Sequence, residues 1–357
     1  MREVAVVGFT QRAMRDFDGS PNCVELLVPI LAELWEQTGW TKDDIGFWCS
    51  GSSDYLAGRS FSFVTAIDAI GAVPPVSESH VEMDAAWALY EAWLKIQTGE
   101  ADTALVYGFG KSSASPLRRT LALQLDPYTV TPLWPDTVSI AGMQARLGLE
   151  QGVWDERAMA EVVARSRTAA ADNEYAVRRG ETSVEAALAQ ELYADPLRRW
   201  DCAPVTDGAA AMVIAATDSE AFNTIDRRTA TITGFAHSID PSTLGIRDLL
   251  SSPSARRAGE AAGTDGVEVA ELHAPFSHQE LILRRELGLG DDVTVNPSGG
   301  ALCSNPMFSA GLVRIGEAAR RIWSGDADRT LGHATSGPAL QQNLVCVLRA
   351  GALEGAA

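Results

Sequence analysis

The sequence contains few cysteines and histidines and no long uncharged apolar run. Of its 357 residues, five are cysteine and five are histidine. The cysteines are scattered and form no CxxC pair: Cys23, Cys49, Cys202, Cys303 and Cys346. Such spacing predicts free thiols in a reducing compartment, and neither a disulfide framework nor a zinc site. Because no window holds eighteen uncharged apolar residues, we expect no membrane span.

The chain also has fewer basic than acidic residues. The chain has 29 Lys and Arg residues against 47 Asp and Glu, a formal net charge of -18. An acidic surface repels phosphates, so nucleic acid is not an expected partner. The N-terminal stretch MREVAVVGF lacks the basic head and long apolar run of a secretory signal and is typical of a strand. We therefore expect a soluble cytoplasmic protein.

Hydrophobic patterning predicts an α/β fold. The chain is 46% apolar, enough for two domains or one large double unit. Runs rich in β-branched residues alternate with segments whose apolar residues recur every three or four positions. The predicted strands cover 4–9, 103–109, 210–217 and 229–236, and the predicted helices cover 23–39, 156–173 and 185–194. This alternation favours buried sheets covered by helices.

A short repeat suggests a duplication. GEADTAL at 99–105 and GDADRTL at 325–331 each follow a helical pattern, and each continues into a strand that ends in small residues. The same order at both places predicts two similar halves, 1–222 and 223–357, joined within the polar stretch 218–228. Residues 112–150 lack a regular period and are too apolar for a solvated loop. We expect this insertion to cap a pocket or to pack on another subunit.

Two segments carry titratable side chains at predicted element ends. In SHVEMDAA (79–86), Glu82 and Asp84 stand at the start of a helix, where a carboxylate either caps the helix or faces a pocket. In ELHAPFSHQEL (271–281), His273 follows an apolar strand, which suits acid–base chemistry as well as it suits a core histidine. His278 lies five residues further on, and no third ligand is near, so we expect no metal site.

Two further segments are glycine-containing turns. TVNPSGGALCSNP (294–306) passes from a strand to a helix through Ser298, Gly299 and Gly300, whose backbone N–H groups can approach an anion or a carbonyl oxygen. GHATSGPALQQN (332–343) carries His333, Ser336 and Gly337 between two predicted strands. Each turn is a common pattern by itself, and the order of the four segments is more specific.

The chain resembles the thiolase superfamily, and within it the sterol-carrier-protein-2-like (lipid-transfer) thiolases, over nearly its full length. The segments that carry the resemblance are GEADTALVYGFGK (99–111), DCAPVTDGAAAMVIA (201–215) and NPSGG (296–300). The resemblance implies a thiolase fold: two duplicated α/β halves in a five-layer αβαβα arrangement, with 112–150 as the inserted loop region. It also implies an acyl-CoA substrate, with coenzyme A as part of that substrate and no separate cofactor.

The resemblance also identifies candidate site residues, with departures. Counting back from GEADTALVYGFGK places Glu82 where the family has its cysteine nucleophile; a gapped alignment places Asp84 or Ala85 there. The family's His-Asp-Cys-Phe segment corresponds to 273–276, which keeps His273. Its Gly-His-Pro motif corresponds to 304–306, where Asn305 replaces the histidine. The catalytic candidates are thus Glu82, His273 and Asn305, and the substrate-binding candidates are Asp84, His278, Ser298, Gly299, Gly300, His333, Ser336 and Gly337.

Without a cysteine nucleophile, thiolytic cleavage through an acyl-enzyme is not expected. Asn305 and His273 can polarise a thioester carbonyl, with Glu82 or His273 as base, which suits retro-aldol cleavage of a β-hydroxyacyl-CoA. The resemblance extends to thiolase-like aldolases that lack the cysteine. It therefore implies a steroid side-chain substrate and a DUF35-type OB-fold partner. It also implies a homo- or heteromeric dimer or tetramer with a thiolase-like paralogue. The resemblance to those aldolases also implies tyrosines in second-half motifs, whereas all six tyrosines here lie in the first half.

Two other functions stay open at this stage. One is a non-catalytic subunit that binds lipid or acyl-CoA in a heteromeric complex. The other is a residual acyl-CoA acyltransferase activity. Convergence of Glu82, His273 and Asn305 on one pocket would favour the lyase over both.

Overall fold

The computed structural model describes residues 2–14, 21–57, 59–71 and 77–351. Its helices are α1 (Cys23–Thr38), α2 (Asp54–Ala57), α3 (Ser62–Ile70), α4 (Ala85–Gln97), α5 (Leu117–Leu123), α6 (Thr137–Glu150), α7 (Glu156–Ala169), α8 (Val184–Leu188), α9 (Pro253–Ala262), α10 (Ser277–Glu286) and α11 (Ala310–Trp323). Its strands are β1 (Val4–Met14), β2 (Phe47–Gly51), β3 (Glu78–Val81), β4 (Thr103–Lys111), β5 (Leu192–Ala194), β6 (Leu197–Arg198), β7 (Asp207–Ala216), β8 (Ala230–Ile239), β9 (Val269–Glu271), β10 (Thr294–Val295), β11 (Arg329–Ser336) and β12 (Gln342–Ala350).

The strand order is the same in both halves of the chain. Ten strands form one mixed sheet in the order β10-β9-β11-β12-β8-β1-β7-β4-β2-β3. The halves meet where β1 and β8 pair over two residue pairs, Ala5 with Thr231 and Val6 with Ala230. Outward from this join, each half has two antiparallel strand pairs followed by two parallel pairs. The predicted duplication is therefore visible in the topology.

Helices α4 and α11 form the middle of five layers. Alternate residues of a strand point to opposite faces, so Val4 and Val6 of β1 pack with α4 and α11, while Ala5 and Val7 pack with α1 and α3. The outer face of the second half of the sheet packs against α9 and α10. The middle helices are rich in alanine and buried on most sides, as helices between two sheets must be. This arrangement is the predicted five-layer αβαβα fold.

Most predicted elements are present, with shifts at their ends. The strands predicted at 4–9, 103–109, 210–217 and 229–236 correspond to β1, β4, β7 and β8. The helix predicted at 23–39 corresponds to α1, which ends at Thr38 and is capped by Gly39 in the left-handed conformation. The helix predicted at 156–173 ends at Ala169.

The helix predicted at 185–194 is wrong in its second half. Helix α8 ends at Leu188, and Leu192–Ala194 instead forms β5, which pairs with β6. Leu192 and Tyr193 are 59% and 42% exposed. A short helix needs a buried apolar face for stability, and these residues have none to offer.

The insertion at 112–150 is folded. It contains α5 and α6, and it packs Leu125, Val130 and Ile140 against Ala339 of the second half. The boundary between 222 and 223 lies in the short 3-10 turn Phe222–Thr224, between β7 and β8. Because the sheet continues through both halves, this domain boundary stays a prediction. Within the described ranges, no helix is long and apolar enough to cross a membrane.

Candidate active site

His273 and Asn305 lie together. His273 follows β9, and Asn305 precedes α11. The His273 Nε2 atom is 2.9 Å from Asn305 Oδ1, and the backbone N–H of Thr335 donates to His273 Nδ1 at 3.3 Å. His273 is 7% exposed, whereas Asn305 is half-buried. The structure thus brings two of the three catalytic candidates into direct contact.

The contacts of His273 determine where its proton is. A backbone N–H only donates, so Nδ1 accepts and Nε2 carries the proton that is donated to Asn305 Oδ1. Burial lowers the pKa of His273 to about 3, so the ring is neutral near pH 7. Both ring nitrogens are engaged, and His273 holds Asn305 in place instead of acting as a base. Among the described residues, no acceptor bonds the Asn305 Nδ2 group, which is therefore a fixed donor.

Three glycines allow the Asn305 segment to lie on the first half of the sheet. A Cβ atom would lie 2.3 Å from Arg12 O at Gly208 and 2.8 Å from the Pro306 side chain. At Gly110 it would lie 2.1 Å from Met307 O, and at Gly108 it would lie 2.5 Å from Phe308 O. Real Cβ atoms do not approach this closely. The glycines of YGFGK and TDGAA therefore position Asn305, a role that the sequence analysis did not assign to them.

Asp84 is buried and caps both middle helices. One of its carboxylate oxygens accepts from the N–H groups of Ala86 at 2.9 Å and Leu312 at 3.1 Å, and the other accepts from Gly311 at 2.9 Å. Burial raises the pKa of the Asp84 carboxyl, while the three N–H donors act in the opposite direction. These donors belong to the first turns of α4 and α11, where the helix dipoles favour a carboxylate. Of the two interpretations of Asp84, capping fits its contacts.

Glu82 does not join His273 and Asn305. Its side chain is 58% exposed, and its Oε2 atom lies 3.6 Å from Nε2 of His80. The convergence of three catalytic candidates is therefore only partial. Glu82 remains two residues before the cap of α4, with its carboxylate open to solvent.

The loop 298–300 is part of a buried polar network. Ser298 donates through its backbone N–H and its hydroxyl to Glu271, at 2.9 and 2.6 Å. Arg314 of α11 donates to Glu271 at 3.1 Å and to Ser298 Oγ at 2.7 Å. Gly299 and Gly300 have positive φ angles of 97° and 62°, which glycine adopts without strain. These contacts hold the loop against β9 and α11.

The remaining histidine candidates are core residues. His278 Nε2 lies 3.0 Å from Gln144 Oε1, and His333 Nε2 lies 3.0 Å from Asn343 Oδ1. Both rings are fully buried, and burial lowers their pKa to about 3 and about 4, respectively. Ser336 ends β11 and Gly337 follows it, so they lie one and two residues beyond the Thr335 N–H that holds His273.

No cysteine is placed for nucleophilic chemistry. All five cysteines are unpaired and buried. Burial raises the pKa of each thiol, to about 12 for Cys202 and Cys303. A thiolate nucleophile needs the opposite environment. In the part of the chain that the structure describes, no group of three His, Cys, Asp or Glu side chains is arranged to hold a metal ion.

The basic residues of the insertion line a cavity. Arg118 and Arg119 lie beside Ala122, Trp134 and Asp136 around a volume of about 320 Å³. Arg118 forms an ion pair with Asp136 at 2.5 Å.

Comparisons with known proteins agree with the fold. No family model matches the chain. Sterol carrier protein 2 of Bos taurus is 26% identical over 272 residues, 64% of this chain and 49% of that protein. A 3-oxoadipyl-CoA/3-oxo-5,6-dehydrosuberyl-CoA thiolase of Escherichia coli is 35% identical over 111 residues, 30% of this chain and 27% of that protein. The chain thus spans about half the length of the first relative and about a quarter of the second.

A longer match and a solved structure cover nearly the whole chain. An acetyl-CoA acetyltransferase of Methanocaldococcus jannaschii is 27% identical over 354 residues, 89% of each chain. The structure of an Ltp2-ChsH2(DUF35) aldolase superposes with a TM-score of 0.79 at 19% identity, over 99% of this chain and 98% of the other. At this identity the superposition establishes the fold. Fold and sequence matches together show that the chain is similar to sterol carrier protein 2 and to thiolases.

Proposed function

We propose that this protein is an acyl-CoA carbon–carbon lyase that cleaves a β-hydroxyacyl-CoA by a retro-aldol reaction, together with a partner subunit. The observation that carries the proposal is the His273–Asn305 contact of 2.9 Å. It leaves the Asn305 amide as an oriented donor, in a fold whose named relatives act on CoA thioesters. An oriented amide stabilises the negative charge that develops on a thioester oxygen.

The proposed step transfers one proton and breaks one carbon–carbon bond. A base removes the proton of the β-hydroxyl group, and the Cα–Cβ bond breaks as the β-carbon becomes a ketone. The electron pair of that bond forms an enolate whose oxygen accepts a hydrogen bond from Asn305 Nδ2. Protonation of the enolate at Cα then gives the shortened acyl-CoA. No acyl-enzyme forms, which agrees with buried thiols of raised pKa.

The base is assigned to Glu82 within this proposal. His273 is unsuited because Nδ1 accepts from Thr335 and Nε2 already carries a proton. The Glu82 carboxylate is 58% exposed and stands where the resemblance places the nucleophile of a thiolase. A carboxylate there can accept the proton of a β-hydroxyl without forming a covalent bond.

The partner and the substrate belong to the same proposal. The aldolase with the similar fold is named as a complex with a DUF35 protein, which supports a partner of that kind here. Exposed apolar side chains of the insertion support contact with another subunit or with an apolar acyl chain: Leu123, Tyr128, Leu133 and Trp134. The proposal further includes a steroid side-chain thioester as substrate and a cytoplasmic location. It also includes dimeric or tetrameric assembly with a thiolase-like paralogue, and no cofactor beyond coenzyme A.

A second candidate is a non-catalytic subunit that binds acyl-CoA. The exposed position of Glu82 favours it, because Glu82 contacts His80 and neither His273 nor Asn305. In that case the His273–Asn305 pair binds the thioester carbonyl while the chemistry occurs on another subunit.

The test is incubation of the purified chain with a tertiary β-hydroxyacyl-CoA, with and without a DUF35-type partner. The lyase predicts equimolar release of a ketone and a shortened acyl-CoA. Binding of the thioester without cleavage in every combination would favour the non-catalytic subunit. Exchange of labelled coenzyme A into an acyl-CoA reports an acyl-enzyme and would instead indicate residual acyltransferase activity.

A further inference from the structure

A line of polar side chains leads from the interior of the sheet to Glu82. Ser50 on β2 and His80 on the neighbouring edge strand β3 are paired residues, and Ser50 Oγ lies 2.9 Å from His80 Nδ1. On the other side of the ring, His80 Nε2 lies 3.6 Å from Glu82 Oε2. Ser50 is 3% exposed, whereas the side chains of His80 and Glu82 are 19% and 58% exposed. The line therefore begins in the core and ends in solvent.

The His80 ring is fixed in its plane. It stacks on Phe63 of α3 with ring centroids 4.7 Å apart and an interplanar angle of 17°. With Nδ1 held by Ser50 and one ring face covered by Phe63, the ring presents its Nε2 edge to Glu82. A side chain held by packing and a hydrogen bond fixes the geometry of the group beyond it.

The Ser50 hydroxyl can donate or accept, so it can donate to His80 Nδ1. Tyr107 on β4 is the cross-strand neighbour of Ser50. Burial raises the pKa of Tyr107, so its hydroxyl stays protonated beside Ser50. When Ser50 donates to Nδ1, the ring carries a proton on Nε2, facing Glu82.

Among the described residues, a further carboxylate interacts with His80. Asp54 of α2 lies within electrostatic range of the ring. Its carboxylate accepts from the N–H groups of Phe61 and Ser62, both at 2.9 Å, so its oxygens are committed to the start of α3. Glu82 is then the carboxylate that the Nε2–H group of His80 serves.

The segments that carry Glu82 and Asn305 meet at one backbone hydrogen bond. Gly51 follows Ser50, and a Cβ atom there would lie 2.5 Å from the backbone nitrogen of Ala85. Ala85 in turn donates to Phe308 O at 2.9 Å. Glu82 and Asn305 each lie three residues before one member of this hydrogen bond, so their two segments meet there.

We propose that His80 is the positioning residue for Glu82, and that the Ser50–His80–Glu82 line is the proton-accepting part of the site. This assignment rests on the lyase function proposed above. Glu82 accepts the proton of the β-hydroxyl group on one oxygen while the Nε2–H of His80 faces the other oxygen from 3.6 Å. The proton then passes to Cα of the enolate, which restores the carboxylate.

The experiment uses propionyl-CoA as a probe, because the reverse half of the reaction removes a proton from Cα. The chain, alone and with its partner, is incubated with propionyl-CoA in D₂O, and deuterium at Cα is followed by mass spectrometry. We expect Glu82→Gln to slow exchange about 100-fold or more, as loss of a general base does.

His80→Gln is expected to lower kcat about 10- to 100-fold with KM within about twofold, as loss of an orienting group does. The matched control is His237→Gln, a change of an exposed histidine on β8 that is expected to leave exchange unchanged.

A spectroscopic readout separates positioning from simple structural damage. Long-range ¹⁵N–¹H correlation spectra of the wild-type chain should show His80 as the Nε2–H tautomer, with loss of that preference in Ser50→Ala. An Nδ1–H tautomer in the wild type would overturn the assignment whatever the rates are. Wild-type exchange that persists in His80→Gln overturns the assignment alone. Absence of wild-type exchange and of β-hydroxyacyl-CoA cleavage overturns the lyase function and the assignment with it.

Discussion

The imidazole of His273 donates from Nε2 to Oδ1 of Asn305 across 2.9 Å, and this contact joins the end of β9 to the segment before α11. The histidine stands where the resemblance expects a catalytic residue, yet its contacts make it a support for the asparagine. The asparagine stands where the family has a histidine, and its amide is the group left to act. His273 thus positions Asn305, and the Asn305 amide is the group that binds the substrate.

Asp84 is predicted to stabilise the fold through both middle helices. In Asp84→Asn one carboxylate oxygen becomes an NH₂ group, which cannot accept from the backbone N–H groups that Asp84 serves. An unsatisfied buried donor costs about 1–3 kcal/mol, so we expect a loss of that size in the free energy of unfolding, measured by urea denaturation. Unchanged stability of Asp84→Asn would contradict the double cap.

Gly110 is predicted to control the position of Asn305. An alanine Cβ at this position would lie 2.1 Å from Met307 O, so Gly110→Ala must shift the segment that leads from Asn305 to α11. We expect about 1–3 kcal/mol lower stability, as in other overpacked sites, and at least tenfold slower turnover. Gly245→Ala is the control, because no atom lies within 4 Å of a Cβ there. Equal activity of the two variants would contradict the claim that the close packing of Gly110 against Met307 O positions Asn305.

The protein is predicted to lose stability in mild acid through its buried histidines. Burial lowers the pKa of His273 and His278 to about 3 and of His333 to about 4, whereas the unfolded chain titrates near 6.5. The unfolded chain therefore binds more protons below pH 6.5. The contribution of each ring to stability is complete above that pH and falls by about 1.4 kcal/mol per pH unit down to its folded pKa.

This dependence can be assigned to one residue. We expect the difference in unfolding free energy between pH 7.5 and pH 5.0 to be smaller by about 2 kcal/mol in His278→Gln than in the wild type. His237→Gln changes an exposed histidine and serves as control. Buried carboxyls of raised pKa, such as Asp84 and Glu271, oppose the trend equally in all three proteins. The same pH dependence in His278→Gln and wild type would contradict the buried neutral state.

The sequence predicts the fold well because its signals are local. Alternating apolar residues mark β1, β4, β7 and β8, and the repeated helix–turn–strand order predicts the duplication seen in the strand order. The failure at 185–194 is also local. Its apolar residues have helical spacing, but Leu192 and Tyr193 remain exposed and pair as a strand instead.

The site was less accessible to sequence reasoning because it depends on contacts between distant segments. The motif comparison identifies His273 and Asn305, but their division of roles depends on the backbone of Thr335. Gly108 and Gly110 stand out in the sequence only as part of a family segment. Their function follows from the approach of the segment at 307–308, which no spacing within a single sequence reveals.

The central claim is that the Asn305 amide stabilises an enolate of an acyl-CoA. It is tested most directly by steady-state cleavage of a tertiary β-hydroxyacyl-CoA by the wild type, Asn305→Ala and the neighbouring control Ser304→Ala, whose buried hydroxyl has no partner among the described residues. We predict a fall in kcat of about 100- to 1,000-fold in Asn305→Ala with little change in KM, and near wild-type kinetics in Ser304→Ala. Equal kcat values in Asn305→Ala and wild type would contradict the claim.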